Sequence, residues 1–301
     1  TAAIERKFIE EPYFEYHIIE DLCIGCGKCV KGCTSFGNGS LHLQIIHDIA
    51  PKATLAFRTG FINSTDFAHG IRELEQAGCD LIVDDITYIT ESFLTDGIVA
   101  QAVNEVKALG VTYFSAAGNY GNKSYQSPFN YGITPPGITG VAHNFAGGSG
   151  NDIYQNVTLG DGNYTIVLQW DDGSGSENTN TDLDIYLTND NGITLFGFNR
   201  DNIGGQPIEV LPFTVTNGGA QTNIMIVKSS GGDDVFMKYV VFRGNLTFNE
   251  YISGNSTLVG QSNSDGAIAV GAVLYSNTPE FGVNPPTIAS FSSVGGTPVN
   301  G

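Results

Sequence analysis

Four cysteines fall within eleven residues, at Cys23, Cys26, Cys29 and Cys33, in the pattern C-x2-C-x2-C-x3-C. Thiolates so spaced can surround an iron–sulfur cluster, and Gly25, Gly27 and Gly32 let the backbone fold about it with N–H groups aimed at sulfur. A disulfide framework is the competing use, and the two-residue spacings in so short a loop disfavour it. In this pattern the first three cysteines hold one cluster and the fourth ligates another. Cys23, Cys26 and Cys29 therefore need a fourth thiolate from a downstream motif, and the sequence has only one further cysteine, Cys79. Cys79, in "EQAGCDLIV", reads as a small buried residue at a helix–strand junction. The expectation is a [4Fe–4S] motif with an incomplete ligand set that binds a cluster poorly.

A second kind of chemistry is carried by "VTYFSAAGNYG", residues 111–121. Small residues close a strand and then present Asn119. An amide at a strand's C-terminal end can donate to a developing oxyanion, a role worth ~3–4 kcal/mol in the transition state. A turn asparagine after glycine is the plainer reading. Asp84 and Asp85, in "LIVDDI", close another strand and either line a cleft with acidic specificity or cap the following turn. "DDGSGSENTNTDLD" gathers Asp171, Asp172, Glu177, Asp182 and Asp184. Oxygen ligands on a loop suit Ca2+, here Asp171, Asp172, Asp182 and Asp184; a solvated acidic loop is the alternative, since EF-hand spacing is absent. His17, His47 and His143 have no partner identifiable from sequence.

The elements that position these groups change style along the chain. "TLAFRTG" (54–60) reads as a strand. "STDFAHGIRELEQAG" reads as a helix, with Ser64 or Thr65 as cap, Gly78 as stop, and Phe67, Ile71 and Leu74 on one face. "LIVDDI" (81–86) is a strand. A helix then runs between Thr95 and Gly110, with Ile98, Ala102, Val106 and Leu109 on one face, before the strand "VTYFSAAG". This alternation predicts an α/β fold with a parallel sheet. From about 145 to 247, short alternating runs punctuated by Gly, Asn and Asp predict a β-sandwich: "NYTIVLQW", "TDLDIYLT", "ITLFGFN", "IEVLPFTVT", "TNIMIVKS" and "VFMKYVVFRG". "DGAIAVGAVLYS" and "IASFSSVGG" then return to the earlier style.

The 301 residues carry a net charge of −18, which disfavours nucleic acid and anionic lipid as partners. No apolar run approaches the ~20 residues of a membrane-spanning helix. Both ends read as cuts, and the seven N-x-S/T triplets reflect an Asn- and Thr-rich composition.

Two resemblances organise these features. "EDLCIGCGKCVKGCTSFGNGSLHLQI" resembles bacterial [4Fe–4S] ferredoxin modules, although Thr34 stands where proline usually follows the fourth cysteine. The ordered series "IAPKATLAF", "CDLIVDDITY", "ALGVTYFSAAGN", "GAIAVGAV" and "ASFSSVG" resembles the subtilisin-like serine peptidases and shares features with sedolisins. That resemblance implies a parallel-sheet α/β core, peptide or protein substrates, a cleft beside Asp84 and Asp85, and Asn119 as oxyanion donor. It also implies triad motifs that are missing: no D-S/T-G and no G-T-S-x-A occurs, and Pro298 stands where the serine would be in "GGTPVNG". The position of the catalytic His or Glu falls on Asn38, and that of the second sedolisin acid on His42; Asn is no general base at neutral pH. His69-Gly70 mimics the peptidase "HGT" but lies on the wrong helix.

The expected organisation is a partial ferredoxin-like segment at 1–40, an α/β core at 41–145 and 249–301, and a sandwich inserted at 146–248. Residues 1–40 do not replace the missing first strands, so the core's edge should be incomplete. The two resemblances meet without a linker, as in recombination or misassembly. The ferredoxin-like part implies a cytoplasmic setting and a redox partner, the peptidase-like part a secreted or periplasmic one. Three functions compete: an inactive serine-endopeptidase fragment, an electron-transfer protein, and a non-catalytic peptide-binding protein.

Overall fold

The computed structural model describes residues 4–10, 13–18 and 50–297, apart from 176, 190, 191, 233, 253, 255 and 296. The cysteine motif, Asn38, His42 and His47 lie outside the described residues. Strands β1 (Ile4–Glu10) and β2 (Tyr13–Ile18) pair antiparallel with Ile4 opposite Ile18.

Helix α1 (Ser64–Gln76) begins one residue earlier than its sequence signals suggest: Asn63 is the cap, its side chain accepting from the Asp66 N–H at 2.8 Å. Helix α2 (Ile98–Ala108) has Gly97 as its cap residue, with no side chain to accept a bond. The Glu91 carboxylate supplies the acceptor instead, taking the Val99 N–H at 3.4 Å. A Cβ on Gly97 would fall 1.8 Å from Glu91 Oε1, so the borrowed cap requires glycine. The buried face of α2 is Val99, Ala100, Ala102, Val103 and Val106, while Ile98 and Leu109 are exposed. The expected face is thus rotated toward the first helix. Arg72 of α1 crosses to Glu105 of α2 at 2.6 Å.

These helices cover one face of a three-stranded parallel sheet: β3 (Leu81–Asp84), β4 (Thr112–Ala116) and β15 (Ala267–Val270), in the order β15-β4-β3. Ile82 and Tyr113 join Phe67, Ile71, Val99 and Val103 in one apolar cluster. On the other face Leu81, Val83, Ile268 and Val270 are exposed. Residues 54–60 form no strand. A strand requires a pairing partner, and Arg58 in this stretch instead binds Asp66 and Glu73 of α1.

The rest is antiparallel. A four-stranded sheet, in the order β11-β8-β13-β5, contains β5 (Ser124–Pro128), β8 (Gly162–Asp171), β11 (Ile208–Val215) and β13 (Phe236–Arg243). A six-stranded sheet runs β10-β9-β12-β7-β14 with β6 beside β12. Its strands are β6 (Val141–Ala142), β7 (Gln155–Leu159), β9 (Asp182–Thr188), β10 (Thr194–Phe198), β12 (Ala220–Ser230) and β14 (Leu246–Phe248). The two sheets face each other over a shared core that includes Ile166, Leu168 and Trp170 from one and Leu183, Ile185 and Ile226 from the other. Alternation explains this: every second residue of β8 points inward, and Val167 and Gln169 between them point outward.

The α/β expectation is therefore corrected. Parallel pairing is confined to three strands of four, five and four residues, and the two larger sheets are antiparallel throughout. A parallel-sheet core of the expected kind is not present among the described residues; the molecule is mainly β. Strand–helix alternation was real but local, ending at β4.

The outer face of the four-stranded sheet meets the loop that follows β3. Phe93 and Leu94 pack on Val167, Ile208, Val240 and Val259. Gln169 clamps that loop from β8, accepting the Phe93 N–H and donating to the Glu91 carbonyl, both at 2.9 Å.

Candidate functional site

Asn119 stands exposed just beyond the carboxyl end of β4. Its loop is held from a distant part of the chain. The Ser293 N–H donates to the Gly118 carbonyl at 2.9 Å, the Tyr120 N–H donates to Ser293 Oγ at 3.1 Å, and the Gly121 N–H donates to the Phe291 carbonyl at 3.0 Å. The two sequence motifs "SAAGN" and "ASFSSVG" are thus brought together. Gly118 has φ +88°, and a Cβ there would lie 2.7 Å from the Tyr120 ring. Only glycine turns the chain this way without strain and still presents the asparagine outward.

Asp84 ends β3 and is buried, whereas its neighbour Asp85 is exposed. One Asp84 oxygen accepts from the Ile86 N–H at 3.1 Å, Ser115 Oγ at 3.1 Å and Gln261 Nε2 at 3.3 Å. Its other oxygen and the Tyr113 hydroxyl, both buried, have only each other to interact with. Burial raises the Asp84 carboxyl above its usual range, with the surrounding donors opposing the rise. The Ile86 bond is the turn-capping geometry, so Asp84 joins β3, β4 and the segment Gly260–Asn263 instead of facing solvent. Gln261 also donates to the Ile86 carbonyl at 2.7 Å. Burial raises the Tyr120 hydroxyl, and the exposed Asp85 adds to that rise.

A polar cavity of about 120 Å³ lies where α2 begins against β8 and the segment before β11, its lining including Ser64, Glu91, Ser92, Gln169 and Gln206. Burial raises the Glu91 carboxyl, and the N–H groups opening α2 oppose that shift.

The acidic loop divides into two groups. Asp171 accepts from the Gly173 N–H at 2.8 Å, and Asp172 accepts from the Ser174 N–H, the Asn180 N–H and Thr179 Oγ1. These are turn-forming bonds. Asp182 and Asp184 sit instead on β9 and are buried. Among the described residues no group of three His, Cys, Asp or Glu side chains forms a ready-made metal cage.

His69 is exposed on α1. His143, without a visible partner in the sequence, has two: its Nδ1 accepts the Asn130 N–H at 3.1 Å, leaving Nε2–H to meet Tyr125 Oη at 2.8 Å. Burial lowers it to about 3, and the rings of Phe129 and Phe145 enclose it. Sequence reasoning passed over Glu91, Gln169, Glu209 and Lys238. All are buried polar groups inside otherwise regular elements or loops, and only a polar residue at an inward or doubly covered position could have signalled them.

No helix among the described residues is long and apolar enough to cross a membrane. No family model and no curated protein matches the chain. Among solved structures it is similar to the CspB protease of Clostridium perfringens, at a TM-score of 0.44 and 14% identity over 80% of this chain and 50% of that one. The chain spans about half the length of that protease. A structure of infectious bursal disease virus, Gx strain, aligns at a TM-score of 0.17 and 17% identity over 45% of this chain and 32% of that one.

Proposed function

We propose that the ends of β3 and β4, with the 290–293 segment, form one wall of a peptide-binding cleft of the subtilisin-like serine endopeptidase type. The observation that carries this reading is Asn119, exposed past a strand end after a left-handed glycine, with its neighbours Gly118 and Tyr120 both bonded to Ser293. Its amide is the donor for the carbonyl oxygen of an extended peptide. Such a donor strengthens as that oxygen gains charge, which is why removing one costs ~10²–10³-fold in rate where the full machinery operates. Asp85 attracts a basic side chain of the peptide, and Asp84 fixes the strand ends from beneath. The sequence has no G-T-S-x-A serine and no D-S/T-G aspartate, so these residues bind and polarise without supplying a nucleophile or a base.

The test uses the 301-residue chain with fluorogenic and fluorescein-labelled peptides and a fluorophosphonate probe. The expected result is no turnover and no labelling, with saturable peptide binding that Asn119→Ala and Asp85→Asn each weaken at least threefold. Turnover by the chain alone, or binding indifferent to both substitutions, would overturn the reading.

A further inference from the structure

A lysine is buried where the sandwich meets the chain that returns from it. Met237, Tyr239 and Val241 of β13 point into the sandwich, so Lys238 shares the outer face with Val240, between Gln126 of β5 and Gln169 of β8 in register. It is fully buried. Its Nζ donates to the Leu258 carbonyl at 3.0 Å and to Thr297 Oγ1 at 2.7 Å, and Thr297 Oγ1 donates onward to Gln126 Oε1 at 3.2 Å. Two N–H donors thus meet two acceptors, the complement of a neutral amine. An ammonium has a third N–H, for which there is only the Phe93 ring, its centroid 5.4 Å from Nζ.

No carboxylate answers a charge at this place. Residues 257–263 and 294–297 carry no ionisable side chain. The acids on the surrounding elements are engaged elsewhere. Asp171, two residues along β8 and opposite Phe236, accepts the Gly173 N–H; Glu91, on the Phe93 loop, accepts from the start of α2; Asp84 is bonded to Gln261. Lys123 is bonded to the Gly244 carbonyl past the far end of β13, where Arg243 is exposed. Burial alone lowers the Lys238 amine, and a ring face does not replace the hydration of a buried ammonium. What Lys238 fastens is the support of the Asn119 loop. The Thr257 and Leu258 N–H groups donate to the Val294 carbonyl at 2.7 and 3.1 Å, and the Val294 N–H donates to Thr257 Oγ1 at 2.9 Å. Thr257 Oγ1 donates to the Gly121 carbonyl, and Ser293, beside Val294, is bonded to Gly118 and Tyr120.

We infer that Lys238 is a proton-linked latch: as a neutral amine it fastens Leu258 and Thr297 to the outer face of the sandwich, and their release carries uptake of one solvent proton by the freed amine and loosens the segments that hold the Asn119 loop. The consequence for peptide binding rests on the reading of Asn119 given above; the latch itself does not. The closed amine titrates at about 7 and a freed one at ~10.4, so the proton is taken up between those values. Release is therefore favoured about tenfold for each pH unit lowered from ~10 toward 7, and it levels off below, where both forms carry the proton.

Amide hydrogen exchange of the full chain between pH 7 and 9 tests it, each rate being divided by that of an unstructured peptide at the same pH. Protection of the Leu258 and Val294 amides should rise about tenfold per pH unit, and at every pH these amides should open more readily than those of Met225, Ile226 and Val227 in β12. In Lys238→Met, checked for folding by circular dichroism, the rise should vanish. Thr297→Val removes one acceptor and should lower Leu258 protection at pH 9 at least threefold, with β12 unchanged. Protection that is flat with pH in the wild type, or that rises equally in Lys238→Met, overturns the inference. So does exchange of Leu258 and Val294 only together with β12, which would leave Lys238 a part of global stability alone. Affinity for a labelled peptide is read separately at pH 7 and 9. Affinity that rises with pH in the wild type and not in Lys238→Met supports the coupling to Asn119, and affinity indifferent to pH while protection changes overturns that coupling. A pH-dependent latch in a chain that binds no peptide upholds the latch and sinks the cleft reading.

Discussion

Replacing Gln169 by Leu tests how the sandwich holds the loop that carries the sheet end. Gln169 is 5% exposed and makes two bonds to backbone, from the Phe93 N–H and to the Glu91 carbonyl. Leucine keeps most of the volume and leaves both backbone groups without their partner. Each unsatisfied buried group costs ~1–3 kcal/mol. The Glu91 end borders the polar cavity, where water can replace the lost bond, so its share falls at the low end. The Phe93 N–H is buried with its bond to Gln169, beside a side chain packed on Val167, Val240 and Val259, and is further from such relief. The sum is a loss of ~2–4 kcal/mol. Because Glu91 also caps α2, the damage extends to that helix's first turn. Urea unfolding followed by both tryptophan fluorescence and far-UV circular dichroism measures the loss. A change below ~0.5 kcal/mol with an unaltered m-value would refute the clamp, since surface substitutions fall in that range.

Two further outcomes follow from buried or strained positions. Gly118→Ala, at φ +88° and with its Cβ 2.7 Å from the Tyr120 ring, should destabilise by ~1–2 kcal/mol and broaden Asn119 resonances; chemical denaturation and NMR check it. Lys238 is fully buried, donates to the Leu258 carbonyl and Thr297 Oγ1, and is lowered by burial to about 7. Its folded value lies below its unfolded one, so between about pH 7 and ~10.4 the unfolded chain binds the extra proton and stability rises with pH. Lys238→Met should flatten that rise, which amounts to a few kcal/mol (~1.4 per pH unit of separation), in unfolding experiments from pH 7 to 10.

Much of the sandwich was legible in the chain. In β8 the residues Tyr164, Ile166, Leu168 and Trp170 alternate with others and bounding glycines mark the turns, and this local pattern survives folding because the sheet uses it directly. β5, "SYQSP", carries too little apolar signal to read alone; it becomes a strand by pairing with β13. "TLAFRTG" fails in the opposite sense, having strand composition and no pairing partner among the described residues. At the candidate site, Asn119 was visible because its small-residue context is local. The support of its loop comes from Ser293, 173 positions from the Tyr120 N–H that it accepts, and the spacing of two motifs in sequence carries no bond. Asp84 looked like a cleft residue because strand ends usually face a cleft; the donor Gln261, distant in sequence, is what buries it.

The central claim is that Asn119 presents its amide to a peptide carbonyl at the end of β4. The most direct measurement is an NMR titration of the 15N-labelled 301-residue chain with an extended peptide bearing a basic residue, following the asparagine side-chain amides. The account predicts saturable shifts of the Asn119 side-chain NH2, accompanied by the Asp85 and Tyr120 backbone N–H groups and abolished for the NH2 signal in Asn119→Ala. Peptide binding that leaves the Asn119 amide unmoved, while signals elsewhere on the molecule shift, would contradict it.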